Sequence, residues 1–313
     1  MKIMINGQQA YGKAVLEALL GRGEEIVGVY CEPDKGERID PIKEAALEHE
    51  LPLFQPKSFK NPEVWEQMAS LEADLCVMAY VTLIVPEQAL NTPTLGSIQY
   101  HPSLLPLHRG PSSINWPIIQ GDEKTGLSIF WPDNGLDTGP ILMQKEVPIR
   151  DDDTLGSLYF NHLFPMGVEA MLESVDLVRD GKAPKLVQDE SMATYEGWCR
   201  AEDVEIDWTR PSQEVWNLIR GANPQPGSWT RHGETTIKIF DCTKQEADDG
   251  ATPGQITAVG DDGVSVACAD GQIQIHRLRP QGAKKMTVAE YLVDAPLAVG
   301  DQLGGGTDFK SVP

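Results

Sequence analysis

Between Gln99 and Gly139 the sequence gathers the residue types that proton transfer and oxyanion stabilisation require. The stretch holds His101-Pro102-Ser103-Leu104-Leu105-Pro106, then His108-Arg109-Gly110, then Asp133-Asn134-Gly135-Leu136-Asp137-Thr138-Gly139. An imidazole can take a proton from a nucleophile, or donate a hydrogen bond to a developing negative charge. A carboxylate beside it favours the imidazolium form and fixes the tautomer. His101 and Asp137 suit that pairing. Pro102 restricts the residue before it to extended backbone, which holds the His101 imidazole at a strand end. Two prolines stiffen the Leu104-Leu105 loop, while Gly135 and Gly139 permit a tight loop that turns Asp137 inward. Each feature alone has a plainer explanation. A His–Pro pair is more often structural, and an Asp in a D-x-G turn is usually a turn residue. Arg109 is expected to brace the loop against a carboxylate, and His108 to serve loop architecture. His49, His162, His232 and His276 have no comparable context.

The elements that must position this block are legible around it. Residues 2–6, 25–30, 74–80, 97–100 and 126–131 are apolar, strand-like runs. Helical spacing follows Gly12 through Ala14, Val15, Ala18 and Leu19, and residues 41–49 read as a second helix. Strands alternating with helices predict a doubly wound α/β domain with a mostly parallel sheet, whose ligands sit outside the carboxyl ends of the strands. His101 follows one apolar run directly and Asp137 follows another in a Gly-rich loop. The turn between Gly7 and Gly12 lacks the G-x-G-x-x-G spacing of a dinucleotide site, so it reads as a tight strand-to-helix turn. Near residue 200 the texture changes. A helical stretch over 214–220 leads to short strands at 236–240, 255–259, 263–268 and 272–277, separated by Gly/Asp turns such as Asp262-Gly263 and Asp270-Gly271. That spacing predicts a small OB-like β-barrel. The expected division is therefore a Rossmann-like domain over 1–203, the barrel over 204–303, and a disordered tail over 304–313.

Bulk properties narrow the function. A chain of 313 residues is long enough for about two domains. Its formal charge of −21 speaks against a nucleic-acid partner, which demands clustered Lys and Arg. No apolar run is long enough to span a bilayer, and Met1 leads straight into a strand pattern instead of a signal peptide. Five scattered cysteines form no CxxC pair, so neither a metal site nor a disulfide framework is expected, and a reducing cytoplasm fits best.

HPSLLPLHRG and GLDTG resemble the 10-formyltetrahydrofolate-dependent formyltransferase family, which includes methionyl-tRNA formyltransferase. The resemblance is strongest to the N-terminal hydrolase domain of 10-formyltetrahydrofolate dehydrogenase. PSSINWPIIQGD, SIFWPDNGLDTGPIL, ATYEG (193–197), IRGANPQPGSWT (219–230) and RLRPQGAKKM (277–286) extend it over nearly the whole chain. It implies a Rossmann-like formyltransferase domain followed by the barrel, with N10-formyltetrahydrofolate as formyl donor and no metal. It also implies a catalytic Asn-x-His…Asp set. His101 and Asp137 match two members, and Gln99 stands at the Asn position with the same amide on a side chain one methylene longer. The pterin is expected against Val81, Thr82, Leu83 and Ile84, with Asp133, Gly135 and Leu136 as the second wall. Ser103, Leu104 and Arg109 form the substrate loop. Attack on a formyl carbon creates a tetrahedral oxyanion, and one well-aimed donor lowers that barrier by roughly 3–4 kcal/mol.

The acceptor stays open at this level. A small amine is the leading expectation. Hydrolysis to formate and tetrahydrofolate is the second, formylation of initiator methionyl-tRNA the third, and a folate-binding sensor without turnover the fourth. The tRNA enzyme carries a basic loop after its second strand. Here residues 32–44 hold five acids (Glu32, Asp34, Glu37, Asp40, Glu44) against three bases (Lys35, Arg38, Lys43). Arg277, Arg279, Lys284 and Lys285 are read as a solvated barrel face. No aldehyde dehydrogenase or carrier segment lies within residues 1–313, so the combined dehydrogenase reaction is not expected of this chain.

Overall fold

Apolar residues on both faces of a strand demand cover on both sides, and the first half of the chain satisfies that demand with helices. In the computed structural model, which describes residues 1–34, 36, 38–247 and 250–304, the first strands are β1 (Lys2–Gly7), β2 (Glu25–Tyr30), β3 (Leu53–Phe54), β4 (Leu75–Ala79), β5 (Ser97–His101), β6 (Lys124–Phe130) and β7 (Ile141–Pro148). They form one sheet in the order β3-β2-β1-β4-β5-β6-β7. β1 to β5 run parallel, whereas β6 and β7 are antiparallel to their neighbours. Side chains alternate across the sheet. Ile3, Ile5, Val77, Ile98, Tyr100 and Ile129 pack on one face with Leu16 and Leu19 of helix Gln9–Gly21 and Met171 and Val175 of helix Phe164–Arg179. Met4, Cys76 and Met78 pack on the other with Phe59, Met68 and Leu90. Ser97, Gln99 and His101 alternate with Ile98 and Tyr100 and therefore share this second face.

The chain winds outward through β1, β2 and β3, then returns to lay β4 on the other side of β1. The ends of β1 and β4 thus form the switch point at which doubly wound sheets bind ligands. The backbones come close there. A Cβ on Gly7 would stand 2.6 Å from the Ala79 carbonyl oxygen, which explains glycine at this turn without a dinucleotide. Helix Pro41–Glu48 begins on the Asp40 carboxylate, which accepts the Ile42 N–H at 3.0 Å, with Pro41 at its first position.

The described residues fall into two compact units. The first lies within 1–113, 124–148 and 159–196, and the second within 114–123, 149–158 and 197–304. In the second unit, β8 (Trp229–His232), β9 (Thr235–Gln245), β10 (Ile256–Gly260), β11 (Gly263–Ala267), β12 (Gln272–Pro280) and β13 (Met286–Thr287) make an antiparallel sheet in the order β10-β11-β12-β9-β8, with β13 on β12. Ile237, Ile239, Ile256, Val264, Val266, Ile273 and Ile275 form its core with Val215 and Ile219 of helix Ser212–Gly221. The tail set apart in the sequence lies outside the described residues, Gly304 excepted.

Gly7→Ala is expected to lower stability by about 1–3 kcal/mol, because the obstacle is backbone that cannot rotate away. Urea unfolding checks this, and an unchanged midpoint would contradict the close approach.

Candidate active site

Strand β5 ends at His101, opposite Ser128 of β6. The imidazole is 6% exposed. Its Nε2 lies 2.9 Å from the His108 carbonyl oxygen. A carbonyl only accepts, so Nε2 carries the proton and Nδ1 is left with a lone pair when the ring is neutral. Nδ1 lies 3.6 Å from Asp137 Oδ2, too far for a hydrogen bond but within strong electrostatic reach. Asp137 is equally buried, and its Oδ2 accepts the Gly110 N–H at 2.9 Å. The two residues come together although β6 leaves the sheet at Phe130, opposite Gln99. Loop 131–140 is pinched at its neck by the Trp131 N–H on the Pro140 carbonyl (2.8 Å) and brings Asp137 back to His101. Gly139 makes the pinch possible, since a Cβ there would stand 1.8 Å from the Trp131 carbonyl oxygen. Asp137 itself has φ +57°, a region that non-glycine residues seldom occupy.

Gln99 is half-buried, lies two residues before His101 on the same strand face, and makes no side-chain hydrogen bond among the described residues. Its amide therefore has no side-chain partner on the strand that ends at His101. Val81 and Leu83 are half-buried, Thr82 and Ile84 exposed, in the loop that follows β4. Thr82 accepts Gln8 Nε2 at 2.9 Å and donates its hydroxyl to Glu32. On the opposite wall Asp133 Oδ1 takes the Gly135 N–H (2.9 Å) and the Thr138 hydroxyl (2.6 Å), which keeps the loop in shape. Asn134 ties this loop to Glu87 beyond Ile84, donating to Glu87 Oε2 at 2.8 Å and accepting the Glu87 N–H at 3.3 Å. Ile84 and Leu136 are left 73% and 54% exposed on these two loops. Next to Thr82 opens a cavity of about 300 Å³ lined by Gln8, Glu32, Asp34, Arg38, Asp40 and Tyr80, among others.

The remaining expected residues are structural in their contacts. Ser103 is fully buried, donates to the Leu107 carbonyl at 2.7 Å, and tightens the 103–107 loop. Leu104 lies against Gly126 of β6. Arg109 reaches Glu190 with a two-pronged contact (3.0 and 2.7 Å) and Gln188 Oε1 at 2.8 and 3.2 Å. The Glu190 carboxylate holds the Arg109 guanidinium further toward its charged form, and Arg109 in turn pulls the Glu190 carboxyl below its ordinary value. His108 has φ +54°, receives Thr194 Oγ1 on its N–H (2.8 Å), and sets Nδ1 3.3 Å from Glu196.

Gln188, Glu190, Thr194 and Glu196 were not singled out by sequence reasoning. Thr194 and Glu196 lie within the ATYEG segment, so a signal was present, but their task was not readable 80 or more residues from their partners. Among the described residues no His, Cys, Asp and Glu cluster fit for a metal ion occurs, and no helix is long and apolar enough to cross a membrane.

Comparison with known proteins shows the family and the fold. The model of the formyl transferase family matches residues 1–174, and that of the formyl transferase C-terminal domain matches residues 199–295. Methionyl-tRNA formyltransferase of Trichlorobacter lovleyi is 36% identical over 309 residues, covering 96% of each chain. Mitochondrial 10-formyltetrahydrofolate dehydrogenase of Mus musculus is 44% identical over 245 residues, 77% of this chain. The matched part spans only about a quarter (26%) of that relative's length. Among solved structures, an N-formyltransferase from Helicobacter canadensis superposes with a TM-score of 0.66 at 19% identity, covering 91% of this chain and 100% of that one, which speaks to the fold. The chain belongs to the formyl transferase family.

Arg109→Ala is expected to cost about 1–3 kcal/mol at neutral pH through the buried bonds to Gln188. Because Glu190 is depressed in the folded state, the ion pair contributes above its ordinary value and fades as pH falls through the depressed one. The gap between wild type and Arg109→Ala in urea unfolding should therefore narrow on acidification. A gap that widens would contradict the pairing.

Proposed function

We propose that this chain is an enzyme that transfers the formyl group of N10-formyltetrahydrofolate to a small amine. The observation that carries the reading is the orientation of His101, whose Nε2 is tied to the His108 carbonyl while Nδ1 faces Asp137 on the strand face that also bears Gln99. The amine nitrogen attacks the formyl carbon, and the new C–N bond leaves negative charge on the formyl oxygen. Gln99 Nε2 donates to that oxyanion. The amine's proton passes to His101 Nδ1, and Asp137 stabilises the imidazolium so formed. The same proton then goes to N10 as the bond to the folate breaks. The pterin lies between the Val81–Ile84 loop and the Asp133, Gly135 and Leu136 wall, where the bare Ile84 and Leu136 side chains suit a flat ring. Family membership supports formyl chemistry. The protein's own residues supply proton transfer and charge stabilisation without a metal.

Two features favour a small acceptor over tRNA. Among the described residues the cavity beside Thr82 is lined by three carboxylates and one guanidinium, which disfavours a polyanion. In the second unit Arg277 and Lys285 both face Asp241, at 3.6 and 3.8 Å, so that basic stretch is partly neutralised. Hydrolysis is the second reading, favoured by the 44% identity to the dehydrogenase segment. Water would take the amine's place, with His101 Nδ1 again receiving the proton. Among the described residues the five cysteines form no disulfide, in keeping with a cytoplasmic setting.

The test is mass spectrometry after incubation with the formyl donor, with and without an amine library and initiator methionyl-tRNA. A formylated small amine is the expected product. Formate release without any acceptor would favour hydrolysis, formylated tRNA would overturn the small-acceptor assignment, and an unchanged donor in every mixture would sink the enzyme reading. His101→Ala should lower turnover by about 10²–10⁴-fold with folding intact. Near-normal turnover in that variant would refute its assigned role.

A further inference from the structure

Asp137 is held in a left-handed conformation that non-glycine residues seldom adopt, so its surroundings must impose it. Its carboxylate is engaged at the Gly110 N–H, and its backbone carbonyl is gripped from 51 residues away. Gln188 Nε2 donates to the Asp137 carbonyl at 2.8 Å and to the Gly139 carbonyl at 2.7 Å, spanning the turn that carries the carboxylate. Gln188 is 5% exposed, and its segment is pinned by reciprocal backbone bonds between Leu186 and Ile141 (2.8 and 2.9 Å).

The orientation of this amide is forced from its other end. Arg109 offers only donors, and two of its nitrogens reach Gln188 Oε1. The amide oxygen must face Arg109, so both amide hydrogens face the two carbonyls. No other side chain of that size offers an acceptor at one end and two donors at the other. A glutamate would satisfy Arg109 and even strengthen that contact, but would set a carboxylate oxygen against two carbonyl oxygens.

We propose that Gln188 is the positioning residue of the active site: relayed from the Arg109–Glu190 pair, its amide fixes the 137–139 turn and thereby the placement of the Asp137 carboxylate against His101 Nδ1. The proposal rests on the catalytic reading of Asp137 given above. Its discriminating variant is Gln188→Glu. A purely structural brace for Arg109 would tolerate that change, whereas a donor aimed at the 137–139 turn would not.

The experiment combines hydrogen exchange at the Gly110 amide, whose partner is the Asp137 carboxylate, with steady-state kinetics on the full chain. In Gln188→Glu the Gly110 amide should exchange about tenfold faster or more, because its acceptor is displaced. kcat should fall by roughly 10–100-fold, the scale of a 1 Å misplacement, with KM for the formyl donor changed far less. Gln188→Met, similar in size and without either bond, should show the same two effects and stands in if the glutamate variant does not fold. Wild-type Gly110 protection in these variants would overturn the proposal, whatever their activity. Faster Gly110 exchange with unchanged kcat would uphold the positioning of Asp137 and instead refute its catalytic role.

Discussion

The hydrogen bond between His101 Nε2 and the His108 carbonyl is the constraint on which the site depends. It takes one ring nitrogen out of service and, in the proposed mechanism, leaves the other for proton transfer. Everything around it keeps that carbonyl in place. His108 is held in a left-handed turn by Thr194 on its N–H, and Arg109 is locked against Gln188 and Glu190 directly after it. The 184–196 segment is thus the clamp that converts a short loop after β5 into a rigid acceptor for the imidazole.

A second consequence is the division of labour across the sheet. One face of β5 gives Ile98 and Tyr100 to the larger apolar core, which fixes the strand. The other gives Gln99 and His101 to the face proposed to meet the ligand, where a substrate would complete polar groups left without full pairing. Gln9, Glu50 and Glu72 have positive φ elsewhere in the fold, and Tyr80, His108 and Asp137 have it on loops around the candidate site. Such strain persists only where the surroundings over-determine it, as the clamp does here.

His101 and Asp137 could be read from the sequence because their signals are local: a proline after the histidine, glycines around the aspartate, and apolar runs just before each. The parallel sheet was readable for the same reason, since β1, β2, β4 and β5 are short apolar runs separated by turn residues. The strands of the second unit announced themselves through Gly/Asp turns, although Trp229–His232 and Met286–Thr287 did not. β7 escaped notice because an edge strand with one wet face reads as a mixed segment, with Gln144, Lys145 and Glu146 at its centre. Gln188 and Thr194 were invisible as site residues for a different reason. Each works through one hydrogen bond or a few to backbone 50 or more residues away, and no periodicity marks such a contact.

In the proposed mechanism His101 meets its substrates through Nδ1. Nitrogen-15 NMR of the His101 imidazole in the free protein, at a pH where the ring is neutral, reports which nitrogen carries the proton. A protonated Nε2 and a bare, pyridine-like Nδ1 are expected. A proton found on Nδ1 with Nε2 bare would contradict it, because the His108 carbonyl would then face a lone pair and the proton-transfer route through Asp137's partner nitrogen would be closed.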